Sequence, residues 1–269
     1  MDIKSTRTLS NGQLIPILGF GTWQSDPGVV GTAVECALRQ GVRHVDAAAI
    51  YYNEKEVGDG IKASGVPRED VFITSKLWNH KHHPDDVEAA CRQTMADLGV
   101  DYLDLYLMHF PSAFKRGDDY LPKDENGDVI FDSSLHPTDT WLAMEKLVEK
   151  GLVKSLGMSN FNSLQIEDII KRGNIRPVML QVECHPYFQQ HKLLNWCKEN
   201  GLAMTAYSPL VNGRSDILKD PRLEEIAKRY NKSTAQIILR WHLQRGLIII
   251  PKSVFPNEIE ENGKLFDFR

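Results

Sequence analysis

An acid followed five residues later by a phenol stands out in the stretch His44–Glu54, HVDAAAIYYNE. Asp46 ends a short apolar run, Tyr51 falls on the segment after it, and Glu54 opens an amphipathic stretch. Lys76 ends a second apolar run, VFITSK, and His109 ends a third, LDLYLMH. Taken singly, each has a plain structural reading. Asp46 can cap a turn or pair with Lys76, and His109 can be a hydrogen-bonded core histidine. Brought to one place, they would do chemistry. A phenol with an ordinary pKa near 10 is a poor acid at neutral pH. An adjacent ammonium favours the tyrosinate and lowers that pKa, while a carboxylate fixes the lysine and keeps it charged. Lowering a pKa by two is worth about 2.7 kcal/mol, within reach of one close ion–phenol contact in a dry pocket. A neutral histidine can donate to a carbonyl oxygen and orient it. Tyr51 would then protonate that oxygen as a hydride arrives at carbon. No side chain supplies a hydride, so a cofactor must.

Positioning these groups together takes a repeating architecture. Extended apolar segments are read at 17–22, 43–47, 71–76, 103–108, 153–158, 178–182, 203–207 and 247–251, each followed by an amphipathic segment. Strands this apolar are covered on both faces, as in a parallel sheet with helical crossovers. Eight such units in about 250 residues fit a closed α/β (β/α)8 TIM barrel better than an open sheet. A Rossmann sheet would need a third glycine after Gly19 and Gly21 in GFGT; these two instead ease backbone approach at a strand end. Before the repeat, an Asn11-Gly12 turn predicts an N-terminal hairpin over about 7–17. No shift in composition divides the chain, so residues 1–269 are expected to form a single domain. The polar stretch Pro111–Pro137, with a turn at Asn126-Gly127, reads as a functional lid or a disordered loop.

In such a barrel the C-terminal strand ends share one mouth. There the sequence sets Asp46 with Tyr51, Lys76 with Trp78, His109 with Phe110, Ser159 with Asn160, Gln181, Tyr207, and Lys252 with Ser253. Ser159, Asn160 and Gln181 offer amide and hydroxyl groups suited to a carboxamide, and Tyr207 offers a flat face for stacking.

A net charge of −4 and a pI near 6.1 argue against nucleic acid or an anionic membrane as partner. The polar start MDIKSTRTLSNG is not a secretory signal, and the longest aliphatic run, Leu247–Ile250, is too short to span a bilayer. Four scattered cysteines without a CxxC read as reduced core thiols of a cytoplasmic protein. His80, His82 and His83 lie in a polar stretch and are expected in solvent; with all three on one loop, no metal site is predicted.

The motifs GFGTW (19–23), D-x-x-x-x-Y-x-N-E from Asp46, ITSKLW (73–78), LMHFP (107–111), GMSNF (157–161), QVECHPY (181–187), AYSPL (206–210) and IPKS (250–253) run along the chain. Over nearly its whole length the sequence resembles the aldo-keto reductases, specifically the aldehyde and aldose reductase branch. The resemblance implies NADPH-dependent reduction of aromatic, aliphatic and sugar aldehydes, and some ketones, with NADH as a secondary cofactor. It implies a catalytic tetrad of Asp46, Tyr51, Lys76 and His109 with Tyr51 as acid. Ser159, Asn160 and Gln181 would hold the nicotinamide amide, Tyr207 would stack on its ring, and Ser208 and Leu210 would line the pyrophosphate. Lys252 and Ser253 would take the adenosine-side phosphate near a helix start. Further cofactor contacts would come from Gly21, Thr22, Trp23, Asp46, Val254, Glu261 and Asn262. Trp23, Ile50, Tyr51, Trp78, His109, Phe110 and Phe114 would wall the substrate pocket of a monomer acting on small carbonyl compounds.

The sequence departs from the branch at several points. Glu258 stands where the branch has an arginine that reaches the 2′-phosphate, which predicts a weaker preference for NADPH over NADH. Phe110 replaces a tryptophan after the histidine, the connection 211–219 is shorter than the cofactor-covering loop, and the family's C-terminal helix and specificity loop would lie past Arg269. Two other functions compete: a non-catalytic, cofactor-binding or structural barrel, and metal-dependent hydrolysis. The complete tetrad favours the reductase.

Overall fold

Thr6–Thr8 (β1) pairs antiparallel with Leu14–Pro16 (β2), forming the expected hairpin. Its turn places Gly12 at φ +88°, a left-handed conformation that glycine adopts at little cost. The computed structural model describes residues 1–213 and 215–269. Parallel strands follow at Phe20–Gly21 (β3), His44–Asp46 (β4), Phe72–Leu77 (β5), Leu105–Met108 (β6), Leu156–Ser159 (β7), Met179–Glu183 (β8), Ala203–Tyr207 (β9) and Ile248–Ile249 (β10). Each pairs with its sequence neighbour, from β3 to β10. The first and last are joined by a parallel bridge between Leu18 and Ile249 and by the Gly19 N–H donating to the Ile249 carbonyl at 2.8 Å. The chain is thus a (β/α)8 barrel with an N-terminal hairpin. Among the described residues no helix is long and apolar enough to cross a membrane.

The outer ring comprises Val30–Arg39 (α1), Glu54–Ser64 (α2), Pro84–Leu98 (α3), Pro137–Glu149 (α4), Ser163–Arg172 (α5), His191–Glu199 (α6), Ser215–Leu218 (α7), Pro221–Tyr230 (α8), Thr234–Gln244 (α9) and Pro256–Gly263 (α10). Side chains next to each other on a strand face opposite sides, and that alternation separates two cores. Phe72, Leu105, Leu107, Met179, Ala203 and Ile248 pack inside the barrel with Leu9 and Ile15 of the hairpin region. Ile73, Leu77, Tyr106 and Met108 belong to the larger cluster packed against the helices. Lys76 therefore shares the inner face with Phe72, and Ser75 the outer face with Ile73.

The register of β5 on β6 is pinned at the end opposite the mouth. The buried Asp104 carboxylate accepts from the Ile73 N–H at 3.0 Å and from Arg68 at 2.8 Å, and the Asp104 N–H donates to the Ile73 carbonyl at 3.1 Å. Gly157 allows close approach on β7. A Cβ there would sit 2.6 Å from the Met179 carbonyl oxygen and 2.7 Å from Leu107. Backbone cannot yield as a side-chain tip does, so Gly157→Ala is expected to lower stability by about 1–3 kcal/mol, read from chemical denaturation midpoints.

Four expectations need correction or refinement. Leu164, grouped by periodicity with Ile166, Ile169 and Ile170, is 73% exposed. At roughly 100° per residue it lies about 200° around the helix from Ile166. His80 and His82 are buried rather than solvated. A 3-10 turn over Asn79–Lys81 folds them back, so that His80 packs tilted against Tyr120 at 4.4 Å between centroids and the His82 carbonyl accepts from the Thr140 hydroxyl. Only His83 stays half-exposed, its Nδ1 accepting from the Asp85 N–H at the start of α3. The stretch 111–137 is organised by antiparallel bridges, Phe114 with Phe131 and Lys123 with Val129. The connection 211–219 includes Arg214, which lies outside the described residues; a 3-10 turn at Val211–Gly213 and α7 stand on either side.

Candidate active site

Strand ends β4, β5 and β6 bring Asp46, Lys76 and His109 together, and a 3-10 turn over Ala49–Tyr51 swings Tyr51 back above them. The Lys76 ammonium is fully buried and has three N–H donors. They find three acceptors: Asp46 Oδ1 at 2.5 Å, the Ala47 carbonyl at 2.9 Å and the Tyr51 hydroxyl oxygen at 3.3 Å. The other Asp46 oxygen accepts from Gln181 Nε2 at 2.7 Å. The lysine is thereby locked in place. Because the Tyr51 oxygen accepts from Lys76, its own proton remains to be given elsewhere.

Burial works against the Lys76 charge, but Asp46 and Tyr51 outweigh it and leave the ammonium above its ordinary pKa. Tyr51 corrects the expectation from sequence. Burial raises its pKa, and Lys76 recovers only part of that shift. The phenol is therefore held protonated until a stronger base, such as an alkoxide, forms beside it. Burial, then Lys76 and His82, push His109 well below the ordinary imidazole value, so it is neutral at pH 7. Its buried Nδ1 has no partner among the described residues.

Aromatic rings form one wall. The edge of Trp78 meets His109 at 5.0 Å, Phe110 at 6.0 Å and Phe114 at 5.7 Å between centroids, and Tyr51 meets His109 at 5.9 Å. Ile50 is half-buried beside Tyr51, while Trp23 is exposed and takes no part in these ring contacts.

On the opposite side of the mouth a polar chain runs from β7 to β9. Asn160, in the left-handed region at φ +64°, donates from Nδ2 to the His109 carbonyl at 2.9 Å and to Ser159 Oγ at 3.1 Å. Tyr207 donates its hydroxyl proton to Asn160 Oδ1 at 2.9 Å; burial and nearby Glu183 push that phenol up to about 12. Ser159 accepts here and keeps its own proton to give. Gln181 uses its N–H on Asp46 and keeps its carbonyl oxygen. One donor and one acceptor beside the tetrad fit a carboxamide such as the nicotinamide's.

The remaining predicted residues form separate groups. Ser208, at φ +45°, donates to Asn212 Oδ1 at 3.0 Å, and Leu210 packs against the outer core. Lys252 reaches the Gln24 carbonyl at 2.9 Å, and Ser253 donates to Glu258 at 2.6 Å in the first turn of α10. Glu261 accepts from Ser233, which caps α9, and Val254 and Asn262 are half-buried nearby. Gly21 lies where a Cβ would press on the Ile250 carbonyl at 2.8 Å, the backbone approach expected of it. Thr22 donates to the Asp46 carbonyl, and Asn53, to which sequence reasoning gave no role, donates to the Thr22 carbonyl; both bonds are 2.8 Å. Asn53 could have been found from its place between Tyr51 and Glu54 in the quoted motif.

The sequence profile of the aldo/keto reductase family matches residues 17–269. The chain belongs to the aldo/keto reductase family. Aldo-keto reductase family 1 member A1 of Homo sapiens is 52% identical over 275 residues, covering 97% of this chain and 84% of the human protein. Aldo-keto reductase family 1 member A1-A of Danio rerio is 51% identical over 278 residues, covering 98% and 86%. Among solved structures, the aldose reductase from Schistosoma japonicum superposes with a TM-score of 0.95 at 47% identity, covering 98% of this chain and 88% of that one. Similarity of this extent places the aldo/keto reductase barrel under the whole of the described site.

Proposed function

We propose that the protein reduces aldehydes, and some ketones, to alcohols with NADPH, with NADH as a secondary cofactor and Tyr51 as general acid. One observation carries the reading: a buried, fully bonded Lys76 that touches both Asp46 and the Tyr51 oxygen, beside a neutral His109. The nicotinamide cofactor supplies a hydride to the carbonyl carbon. Ser159, Asn160 and Gln181 would hold its amide, and Tyr207 would offer a face to its ring. His109 orients the carbonyl oxygen, the Trp78 wall excludes water, and Tyr51 gives its proton to the oxygen as negative charge builds there. Lys76, anchored by Asp46, steadies the tyrosinate that remains.

The reading extends to aromatic, aliphatic and sugar aldehydes, and to a cytoplasmic monomer. Unpaired cysteines, three of the four buried, suit a reducing compartment. The test is loss of NADPH absorbance with glyceraldehyde and a nitrobenzaldehyde. Tight cofactor binding without turnover across such a panel would leave the non-catalytic barrel as the better reading.

At the adenosine end, the Glu258 carboxylate stands in the first turn of α10, where a phosphate would otherwise be favoured. Glu258→Gln is expected to raise NADPH-over-NADH discrimination by up to about fivefold at low salt, and less as salt rises. Ratios of kcat/KM for the two cofactors at two ionic strengths check this.

A further inference from the structure

Outside the barrel wall, between α2 and α3, lies a cavity of about 540 Å³, within the ordinary range for small-molecule sites. Tyr106, whose side chain faces away from the barrel interior, lines it. So does Glu54, which accepts from Ser75 on that same outer face at 2.5 Å. The cavity and the tetrad are thus on opposite sides of β5, with Trp78 common to the wall of each.

We propose that this cavity is a second binding site, for a flat aromatic monocation such as an arylamidine. The proposal does not depend on the reductase reading. Glu54 is only 5% exposed, and its oxygens accept from the Ser75 and Thr94 hydroxyls. Each carboxylate oxygen keeps acceptor capacity beyond that one bond, which a two-pronged cation could use. His80, 4% exposed, also lines the cavity, and its buried Nδ1 has no partner among the described residues. Aromatic rings line the cavity too: Tyr120 packs tilted against His80 at 4.4 Å and against Tyr52 at 4.8 Å between centroids, a surface that a flat cation can lie against. Tyr52 is held left-handed at φ +55° and is 69% exposed.

The charge balance points the same way. Of the carboxylates lining the cavity, Asp118 is paired with Lys81 and Asp86 with Arg116. Glu54 and Asp97 are left against Lys55, a negative remainder once Glu54 is ionised, which suits a cation.

The groups around Glu54 make its response readable. Asp97 and Cys91 face it from α3, Lys76 and Tyr51 act through the barrel wall, Tyr106 and Tyr120 lie beside it, and Lys55, His80 and the paired Asp86 line the same cavity. Burial pushes Glu54 up to about 7, against the pull of Ser75 and Thr94. His80 is down to about 4 and Tyr106 is well above its ordinary value, so neither titrates between pH 6 and 8. A bound cation favours the ionised carboxylate. Binding therefore releases protons near pH 7 and tightens as pH rises through that range.

Isothermal titration of the whole chain with benzamidine, cationic throughout that range, tests this. The expected result is one saturable site whose affinity rises from pH 6 to 8. It weakens about ten- to a hundredfold in Glu54→Gln, the usual loss for a bond to a charged group, weakens in Tyr120→Ala, and is unchanged in Tyr51→Phe. Tyr120 is a half-buried loop residue, so its variant decides the matter if Glu54→Gln does not fold. The proposal is overturned by absence of saturation at about 10 mM, by full affinity in either cavity variant, by affinity flat or falling with pH, or by loss in Tyr51→Phe, which would put the ligand at the barrel mouth.

Discussion

Replacing Tyr51 with phenylalanine is expected to lower kcat for aldehyde reduction by about 10²–10⁴-fold, the range for removing a positioned acid, and to leave cofactor affinity unchanged. The ring is kept, so the contact with His109 survives and only the proton is lost. Because burial raises the Tyr51 pKa, the wild-type acid stays loaded through neutral pH, and activity should fall only as the medium turns alkaline enough to ionise it. Tyr51→Phe should abolish that alkaline limb in the residual rate. The measurements are kcat against pH for both proteins and cofactor titration by protein fluorescence. A variant within about tenfold of wild type would remove Tyr51 from the role of acid.

Asp46→Asn is expected to lower stability by about 3–5 kcal/mol, the cost of leaving a buried charge without its partner. Lys76 is fully buried, and although the amide oxygen introduced by Asp46→Asn could still accept from it, the ammonium would be left with neutral acceptors only, the Ala47 carbonyl and the phenol oxygen among them. The double variant Asp46→Asn with Lys76→Met removes the orphaned charge as well. It should recover much of the stability while remaining inactive. Denaturant midpoints and turnover for the two single variants and the double close the cycle. If the double variant is no more stable than Asp46→Asn alone, the pair is not the linked unit described here.

The fold and three of the four central side chains were legible from the sequence for one reason. Buried parallel strands are written as apolar runs, and a polar residue ending such a run must lie at a strand tip. Asp46, Lys76 and His109 announce themselves in that way. Tyr51 needed the motif as well, because it sits on a turn without periodicity. Less visible was the sign of the Tyr51 shift: Lys76 argues one way and burial the other, and only packing decides between them. The buried histidines were misread because His80 and His82 are covered by Tyr120 and α4, which are distant in sequence. Glu54 was visible as a helix-opening acid, but the cavity beside it arises from where α2 and α3 pass each other.

Asp104 lies at the foot of the barrel and touches nothing that reacts, yet it governs which atoms can. A slip of β5 by a single residue would turn Lys76 outward towards Glu54 and offer a serine hydroxyl to Asp46 in its place. The clamp on the Ile73 backbone forbids that slip from the far end of the strand. Damage at Asp104 would therefore mimic the loss of a catalytic group in an otherwise folded protein, an inactive barrel built from an unaltered set of reactive side chains.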